Sequence, residues 1–176
     1  MRTNLELKVS YPSLDEAASV ARALGARREG VLRQRDTYFL AGAQRLKLRE
    51  IRGGRSELIY YERSDSNSSR YSRYSVIGVK NRTAVKRLFS SLFGVRVVVT
   101  KRRLLYIHKN ARIHIDSVQG LGNYLEFEVL VTQGKRQART LMIFLQKQFG
   151  IKENSVIGGS YSDLLLRRVR RGTNRA

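Results

Sequence analysis

The heptapeptide Tyr124-Leu125-Glu126-Phe127-Glu128-Val129-Leu130 alternates between apolar and charged residues, and it follows the turn-like sequence Gly120-Leu121-Gly122-Asn123. In a β-strand, successive side chains point to opposite faces, so Glu126 and Glu128 share one face and the apolar residues share the other. Two neighbouring carboxylates repel each other. In a basic chain this pair predicts a bound cation, or arginines and lysines, facing the carboxylates.

The same division between a charged and an apolar face recurs in other segments that we predict to be strands. Their ionisable or polar faces consist of Asn4, Glu6 and Lys8 in 3–10; Arg45, Lys47 and Arg49 in 45–49; Lys101 and Arg103 in 95–106; and Arg112, His114 and Asp116 in 112–116. Further strands are predicted at 30–40, 57–63 and 74–79. The repeated division indicates that the strands present a common charged surface.

Four helices are predicted at 14–24, 82–93, 134–149 and 161–168, each with apolar residues at helical spacing. Ser13 and Glu16 form a capping-box pattern before the first helix. The pattern favours one α+β domain of about eight strands and four helices, spanning 1–168. We predict an exposed basic loop at 64–75 and a frayed basic tail at 169–176.

The composition indicates a folded protein with a polyanionic partner. The chain has 176 residues, 41% of them hydrophobic, and 35 Lys plus Arg against 14 Asp plus Glu give a net charge of +21. Such a surplus favours nucleotide phosphates, polyphosphate or nucleic acid as ligands. Because the sequence contains no cysteine, disulfides and zinc–thiolate sites are excluded.

The beginning of the sequence and its hydropathy bear on localisation. Met1-Arg2-Thr3 runs directly into the first predicted strand, and no apolar run approaches the length of a membrane span. We therefore expect an intracellular, soluble, cytoplasmic protein with no membrane partner.

Two architectures can accommodate strands with one charged face. In a sandwich the charged face meets water, whereas in a barrel covered by helices it lines the interior. The barrel would gather Glu6, Glu126 and Glu128 beside the cations Lys8, Lys47, Arg49, Lys101, Arg103 and Arg112. An interior of that kind is too polar for a packed core and suits an anion together with a hard metal ion.

Several motifs, taken in order, resemble those of one known family. Asn4-Leu5-Glu6-Leu7-Lys8 is similar to the ExExK signature of CYTH domains, the triphosphate tunnel metalloenzymes. Further similar segments are Arg35-Asp36-Thr37-Tyr38-Phe39, Leu46-Lys47-Leu48-Arg49-Glu50, Lys101-Arg102-Arg103, residues 112–118, residues 120–128 and residues 160–165. The similarity covers nearly the whole chain. Within the family, the sequence most resembles the branch related to class IV adenylate cyclases.

The resemblance implies an eight-stranded antiparallel tunnel that binds a triphosphate such as ATP, thiamine triphosphate or tripolyphosphate. Glu6, Glu126 and Glu128 would bind Mg²⁺ or Mn²⁺, with Asn4 and Asp116 as further candidate ligands, and these three glutamates and Lys8 would be the catalytic residues. The phosphate contacts would be Lys8, Arg35, Lys47, Arg49, Lys101, Arg103 and Arg112.

Two positions depart from the family pattern. Asn4 stands where the signature has its first glutamate, and an amide oxygen brings no charge to a metal ion. Glu62 falls where many members have a lysine, which removes one expected phosphate contact; Arg63 or Arg70 would have to compensate. His114 is interpreted first as an ordinary strand residue with a hydrogen-bonded neighbour; a general base is the less favoured alternative, because activation by a metal ion needs none.

Three functions remain open from the sequence. The first is a metal-dependent enzyme on a nucleoside or inorganic triphosphate, either a hydrolase or a cyclase. The second is a non-catalytic protein that binds polyphosphate or RNA ends, favoured by Asn4, Glu62 and the excess positive charge. The third is an RNA 5′-triphosphatase, because the basic surface could also recruit RNA.

Overall fold

The computed structural model describes residues 1–42, 45–63 and 70–173. Eight strands are formed by β1 (Arg2–Ser10), β2 (Arg27–Phe39), β3 (Arg45–Ile51), β4 (Ser56–Arg63), β5 (Arg70–Val79), β6 (Val95–His108), β7 (Ala111–Val118) and β8 (Gly122–Leu130). Helices are α1 (Leu14–Ala23), α2 (Arg82–Phe93), α3 (Lys135–Gln148) and α4 (Tyr161–Thr173), with a short 3₁₀ helix at Glu153–Ser155.

The strands close into an antiparallel barrel in the order β1-β5-β4-β3-β2-β6-β7-β8. Closure follows from β1, which pairs with β5 along one edge and with β8 along the other. In the second pairing, Glu6 lies opposite Glu128 and Lys8 lies opposite Glu126. The prediction of an eight-stranded antiparallel barrel with a polar interior, flanked by helices, is therefore confirmed.

The aliphatic face of the strands points outward and is covered by helices. Leu7 of β1 and Phe127 of β8 pack with Ala21 of α1 and Leu145 of α3, and all four are at most 1% exposed. Burying apolar side chains of this size contributes about 1.5–3 kcal/mol each. Because this outer layer is the main core, the charged faces are left to line the interior, which rules out the sandwich.

Local sequence explains where the helices begin and end. The Ser13 hydroxyl accepts a hydrogen bond from the Glu16 backbone N–H at 3.1 Å, which caps α1 as the sequence predicts. The Asn81 side chain accepts one from the Ala84 N–H at 3.0 Å and caps α2. After α1, Gly25 has a φ of 68°, a backbone conformation that favours glycine.

A second, smaller core fills one end of the barrel. Its buried members include Tyr38, Val99, Val118, Tyr124 and Tyr161. Tyr161 begins α4, and its ring packs edge-on against Tyr124 with a centroid separation of 5.1 Å. This aromatic layer confines the polar interior to the remaining length of the barrel.

Two boundaries differ from the sequence prediction. Strand β5 begins at Arg70 and not at 74, because Arg70 and Ser72 are buried and continue the pairing with β1 and β4. The rest of the predicted loop, residues 64–69, lies outside the described residues.

Helix α4 continues to Thr173, so the segment 169–173 is helical and not a frayed tail. Leu164 and Leu165 pack against the aromatic end of the barrel, and the Arg168 guanidinium donates a hydrogen bond to the Gly120 carbonyl. Residues 174–176 lie outside the described part of the chain. None of the described helices combines the length and apolar composition that crossing a membrane requires.

Candidate active site in the barrel lumen

The interior of the barrel is a cavity of about 770 Å³ that all eight strands line. It reaches the surface at the end where the exposed residues Arg2, Arg55 and Gly78 border it. At the opposite end, Tyr38 and Tyr161 form its floor. We call this cavity the lumen.

An acidic group lies on one wall of the lumen. One ligand atom each from His114, Glu126 and Glu128 lies within 4.8 Å of the others. Glu6, directly opposite Glu128 on the neighbouring strand, also lines the cavity and accepts a hydrogen bond from the Ser72 hydroxyl. The carboxylates that the sequence singles out are thus brought together, and His114 joins them.

Two cations hold the Glu126 carboxylate from either side. Lys8 Nζ lies 2.9 Å from Oε1, and Arg103 Nη2 lies 2.8 Å from Oε2. Burial would raise the pKa of Glu126, but Lys8, His114 and Arg103 together hold it well below its usual range. Glu126 is therefore ionised at neutral pH despite being only 7% exposed.

His114 has a hydrogen-bonding neighbour, as the sequence interpretation expects, and this neighbour is the carboxylate of Glu126. Its Nδ1 lies 3.5 Å from a Glu126 oxygen and 3.8 Å from a Glu128 oxygen. Burial lowers the pKa of His114, and Arg103 acts in the same direction against the two glutamates. A neutral imidazole at neutral pH can donate to a carboxylate or offer a nitrogen to a metal ion. The signal in the sequence was its place between Arg112 and Asp116 on the inward face of β7.

Glu128 faces the mouth side of this group. Arg112 Nη1 lies 3.1 Å from its Oε2. Burial raises the pKa of Glu128, yet His114, Arg103 and Arg112 lower it below its usual value overall. Asn4, the predicted weak ligand, is 3% exposed and lines the lumen on the same strand as Glu6.

Asp116 is engaged differently from the sequence prediction that made it a candidate metal ligand. Its two oxygens accept hydrogen bonds from Arg103 Nε and Nη2 at 2.7 and 2.6 Å, and Tyr161 donates a third at 2.8 Å. Burial raises its pKa, but Arg103 more than reverses this effect. Asp116 therefore positions Arg103, and it lies outside the His114–Glu126–Glu128 group.

On the opposite wall of the lumen, the carboxylate of Asp36 contacts several cations. Asp36 was not predicted as a site residue. It accepts hydrogen bonds from Lys47 and Lys101 at 3.0 and 3.1 Å and two from Arg49 at 2.9 and 3.0 Å. Burial raises the pKa of Asp36, whereas Arg49, Lys101 and Lys47 lower it well below the usual value. This single carboxylate holds three of the predicted phosphate contacts in place.

Lys101 is a lumen cation whose pKa is shifted toward neutral pH. Burial lowers its pKa to about 7, against the opposing attraction of Asp36. Its neighbours Arg103, Arg49 and Lys47 lower the pKa further, because each adds positive charge. Its charge therefore changes near neutral pH and would be restored by an anion placed beside it.

Two other predictions for strand residues do not agree with the structure. Arg35, predicted to contact phosphate, is exposed on the outside of the barrel, because Gln34 and Asp36 on either side of it face inward. Glu62 is also exposed and accepts a hydrogen bond from the Tyr60 hydroxyl at 2.8 Å. The departure at Glu62 therefore leaves the lumen unchanged. Arg70 is buried and donates to the Gly159 carbonyl at 2.9 Å.

The lumen is nearly balanced in charge. The six predicted cations other than Arg35 all line it, namely Lys8, Lys47, Arg49, Lys101, Arg103 and Arg112. Against them stand five carboxylates, namely Glu6, Asp36, Asp116, Glu126 and Glu128. Arg2, Arg55 and Glu57 also line the cavity, so that eight cationic side chains face six carboxylates. Little of the net charge of +21 is therefore located in the lumen.

The donor set fits a hard divalent metal ion. Glu6 and Glu128 face each other across adjacent strands, and Glu126 and His114 lie beside Glu128. Carboxylate oxygens are the ligands that Mg²⁺ and Mn²⁺ prefer, and a neutral imidazole is compatible with Mn²⁺. Both oxygens of Glu126 lie beside cations, whereas at Glu128 Arg112 lies 3.1 Å from Oε2.

Comparison with known proteins places this architecture in context. The PH1012 protein of Pyrococcus horikoshii OT3 has a TM-score of 0.83 and 27% sequence identity, covering 92% of this chain and 98% of its own. A candidate adenylate cyclase of Vibrio parahaemolyticus has a TM-score of 0.76 at 19% identity, covering 92% and 97%. A candidate adenylyl cyclase of Hippeastrum, described with a dominant triphosphatase activity, has a TM-score of 0.60 at 15% identity, covering 86% and 89%.

A search against curated proteins returned no significant match. The family model of the CYTH domain, in contrast, matches residues 2–161. This range contains all eight strands of the barrel and every residue that lines the lumen except Met1. The chain therefore belongs to the CYTH domain family.

Proposed function

We propose that this protein is a metal-dependent enzyme that hydrolyses a nucleoside or inorganic triphosphate held in the lumen. The observation that carries the proposal is the meeting, in one cavity, of the carboxylates Glu6, Glu126 and Glu128 with six cations from four strands. Family membership and the triphosphatase activity described for the Hippeastrum protein support it.

The lumen cations are already arranged for an anion. Arg103 is fixed by Asp116, and Arg49 is fixed by Asp36, each through two hydrogen bonds. Side chains held in this way need little reorganisation when a phosphate chain enters, which is how charged sites stabilise developing charge. A guanidinium can bind phosphate through two parallel hydrogen bonds, whereas Lys47 and Lys101 supply point charges.

Glu6, Glu126 and Glu128 would hold Mg²⁺ or Mn²⁺ in this proposal. The bound ion would supply Lewis-acid neutralisation of phosphate oxygens. Lys8, 2.9 Å from Glu126 and 3.9 Å from the Tyr161 ring centroid, would keep Glu126 ionised and oriented and would contact the phosphate chain. Neutral His114 would donate through Nδ1, which lies 3.5 Å from Glu126 and 3.8 Å from Glu128, and would so help to orient the two carboxylates.

Hydrolysis is proposed before cyclisation because it requires fewer features of the lumen. The charged groups described above all suit phosphate, and both reactions rely on them for charge neutralisation and in-line positioning. A cyclase must in addition place the ribose 3′-oxygen against the α-phosphorus. Because one similar structure is a candidate adenylate cyclase of Vibrio parahaemolyticus, a cyclic nucleotide should be assayed as a product besides phosphate.

One observation favours a non-catalytic alternative, a protein that holds polyphosphate or RNA ends. Both oxygens of Glu126 are engaged by Lys8 and Arg103, and Asn4 contributes no charge. A lumen that neutralises its own carboxylates would bind phosphate without needing a metal ion. Tight, metal-independent binding of tripolyphosphate without any product would support this alternative.

The experiment is product identification by mass spectrometry. The protein is incubated with ATP, thiamine triphosphate, tripolyphosphate or 5′-triphosphorylated RNA, each with Mg²⁺, Mn²⁺ or a chelator. We expect metal-dependent release of phosphate from at least one small triphosphate. Release from the RNA alone would identify an RNA 5′-triphosphatase, a cyclic nucleotide would identify a cyclase, and no product from any substrate would contradict the proposal.

A further inference from the structure

The outside of the barrel carries a cationic surface that the proposed function does not use. Five arginines, Arg33, Arg35, Arg52, Arg82 and Arg102, border a concave region of about 590 Å³; we call it the outer arginine face. We propose that the outer arginine face binds the phosphate backbone of a single-stranded nucleic acid. This site would be separate from the lumen and goes beyond the proposed function.

The outer arginine face lies on the other side of the wall that encloses the lumen. Gln34 of β2 is paired with Ile51 of β3 on one side and with Lys101 of β6 on the other. These three residues border both cavities. Because side chains alternate along a strand, Arg33 and Arg35 point away from the lumen when Gln34 points into it.

The arginines are packed closely in a way that costs stability. Arg33 lies directly opposite Arg102 in the β2–β6 pairing, and the Arg52 backbone N–H donates to the Arg33 carbonyl at 2.9 Å. Like charges directly opposite each other on neighbouring strands are destabilising. An anion bound between them would remove this repulsion. The arginine cluster should therefore be more stable with an anion bound than without one.

Carboxylates do not compensate these charges. Within residues 1–42, 45–63 and 70–173, Arg33, Arg35, Arg52 and Arg102 have no carboxylate within ion-pair distance. Among the residues that the structure describes, Glu50 is the one acidic residue that borders the concave region, and Lys86 lies 2.9 Å from it, with Arg82 at 4.0 Å. Since the lumen is nearly balanced, arginines of this kind account for much of the surplus charge.

The chemistry of the lining favours a phosphodiester chain. Guanidinium groups bind phosphate oxygens through paired hydrogen bonds. No aromatic side chain borders the concave region within the described part of the protein, so bases have no aromatic ring to stack on and recognition would depend mainly on the phosphates. A single strand can bend into a concavity that a duplex, with its persistence length of roughly 150 base pairs, cannot follow.

The test is fluorescence anisotropy with a labelled 12-nucleotide oligouridine that carries a 5′-hydroxyl end. This probe has no triphosphate, so its binding is independent of whether the lumen is an enzyme. The variant replaces Arg33, Arg35, Arg52 and Arg102 with glutamine. The matched control replaces four other exposed cations, Arg28, Lys80, Arg136 and Lys147, none of which borders either cavity.

We expect the arginine-face variant to lose affinity about tenfold or more and the control to lose little, although both lose the same net charge. The slope of log affinity against log salt should fall by roughly 0.7 for each phosphate contact removed. Equal losses in both variants, or displacement of the oligonucleotide by the same concentration of phosphate groups supplied as inorganic phosphate, would overturn the proposal.

A stability measurement guards against misfolding of the variant. Without nucleic acid, Arg33→Gln together with Arg102→Gln should raise the melting temperature, because the opposed charges are gone. Metal-dependent turnover of a triphosphate, if present in the wild type, should be unchanged. A lower melting temperature would contradict the repulsion on which the inference depends.

Discussion

Asp36 on β2 lies opposite Arg49 on β3, and its carboxylate accepts two hydrogen bonds from the Arg49 guanidinium, from Nε at 2.9 Å and from Nη2 at 3.0 Å. Lys47 and Lys101 contact the same carboxylate. Asp36 thus occupies, inside the lumen, the place of a counterion for three cations. A bound phosphate chain would share or take over that role.

Replacing Asp36 with asparagine should destabilise the protein. Removing one member of a buried ion cluster leaves the remaining charges uncompensated, which typically costs about 3–5 kcal/mol. Chemical denaturation of the variant and the wild type measures the loss in the free energy of unfolding.

Tripolyphosphate should restore much of the stability lost in the Asp36→Asn variant. The increase in melting temperature on adding the ligand should be larger for the variant than for the wild type, because the ligand replaces the missing counterion. An equal increase in both proteins would show that the three cations do not contact the phosphate chain.

The affinity for tripolyphosphate should fall as the pH rises above about 7, the pKa to which burial lowers Lys101. Above that pH, Lys101 is neutral in the free protein, so binding must be accompanied by uptake of a proton. One such proton weakens binding by up to about tenfold per pH unit. Lys101→Met should remove this part of the pH dependence, and comparing the two proteins cancels the ionisation of the ligand itself.

Lys101 should also affect the stability of the ligand-free protein, and here the effect of rising pH should be favourable. The folded-state pKa of Lys101 is about 7, below the usual value of 10.5, so the unfolded chain binds more protons between these values. The contribution of Lys101 to the free energy of unfolding therefore rises with pH across this window. Melting curves of the wild type and Lys101→Met that stay parallel from pH 7 to 10 would contradict this assignment.

Glu128→Gln should reduce metal-dependent turnover by about 100-fold or more, which exceeds the loss typical of groups that only support a metal ligand. Metal-independent binding of tripolyphosphate should persist, because the lumen loses a negative charge and no cation. Glu62→Gln is the matched control, since Glu62 is exposed on the outside of the barrel. Phosphate-release assays at several metal concentrations measure the effect, and full activity of Glu128→Gln would rule out a role as ligand.

Arg49→Gln and Arg35→Gln should differ sharply in their effect on tripolyphosphate binding. Arg49 lines the lumen, and losing a charge-assisted hydrogen bond there should weaken binding by about tenfold to 100-fold. Arg35 is on the outer side of the wall, so its replacement should leave this affinity unchanged. Calorimetric titration of both variants checks the prediction, and an equal loss would place the phosphate chain outside the lumen.

Alternation along single strands was enough to predict most of this site. An apolar residue separates Glu126 from Glu128, and another separates Glu6 from Lys8. These apolar residues identify the core-facing side of each strand and so assign the charged residues to the other side. In Arg35-Asp36 both residues are charged, so alternation alone could not tell the lumen side from the outside. The prediction chose Arg35 and missed Asp36, and only the pairing with β3 and β6 resolves the choice.

The segments that were wrongly predicted lack the apolar periodicity from which strands and helices are predicted. At Arg70 and Ser72 the inward residues of β5 are polar, so no apolar period marks the strand. At the end of α4 the sequence is rich in arginine and was predicted to be frayed, but Leu164 and Leu165 pack this helix against the barrel. In both cases tertiary contacts, which one sequence does not display, override the local signal.

The most direct test of the central claim is an anomalous difference map from crystals grown with Mn²⁺ and tripolyphosphate. The account predicts a manganese peak in contact with carboxylate oxygens of Glu6, Glu126 or Glu128, and phosphate density against Arg49 and Lys101 inside the lumen. A metal peak away from these glutamates, or phosphate density only on the outer surface of the barrel, would contradict it.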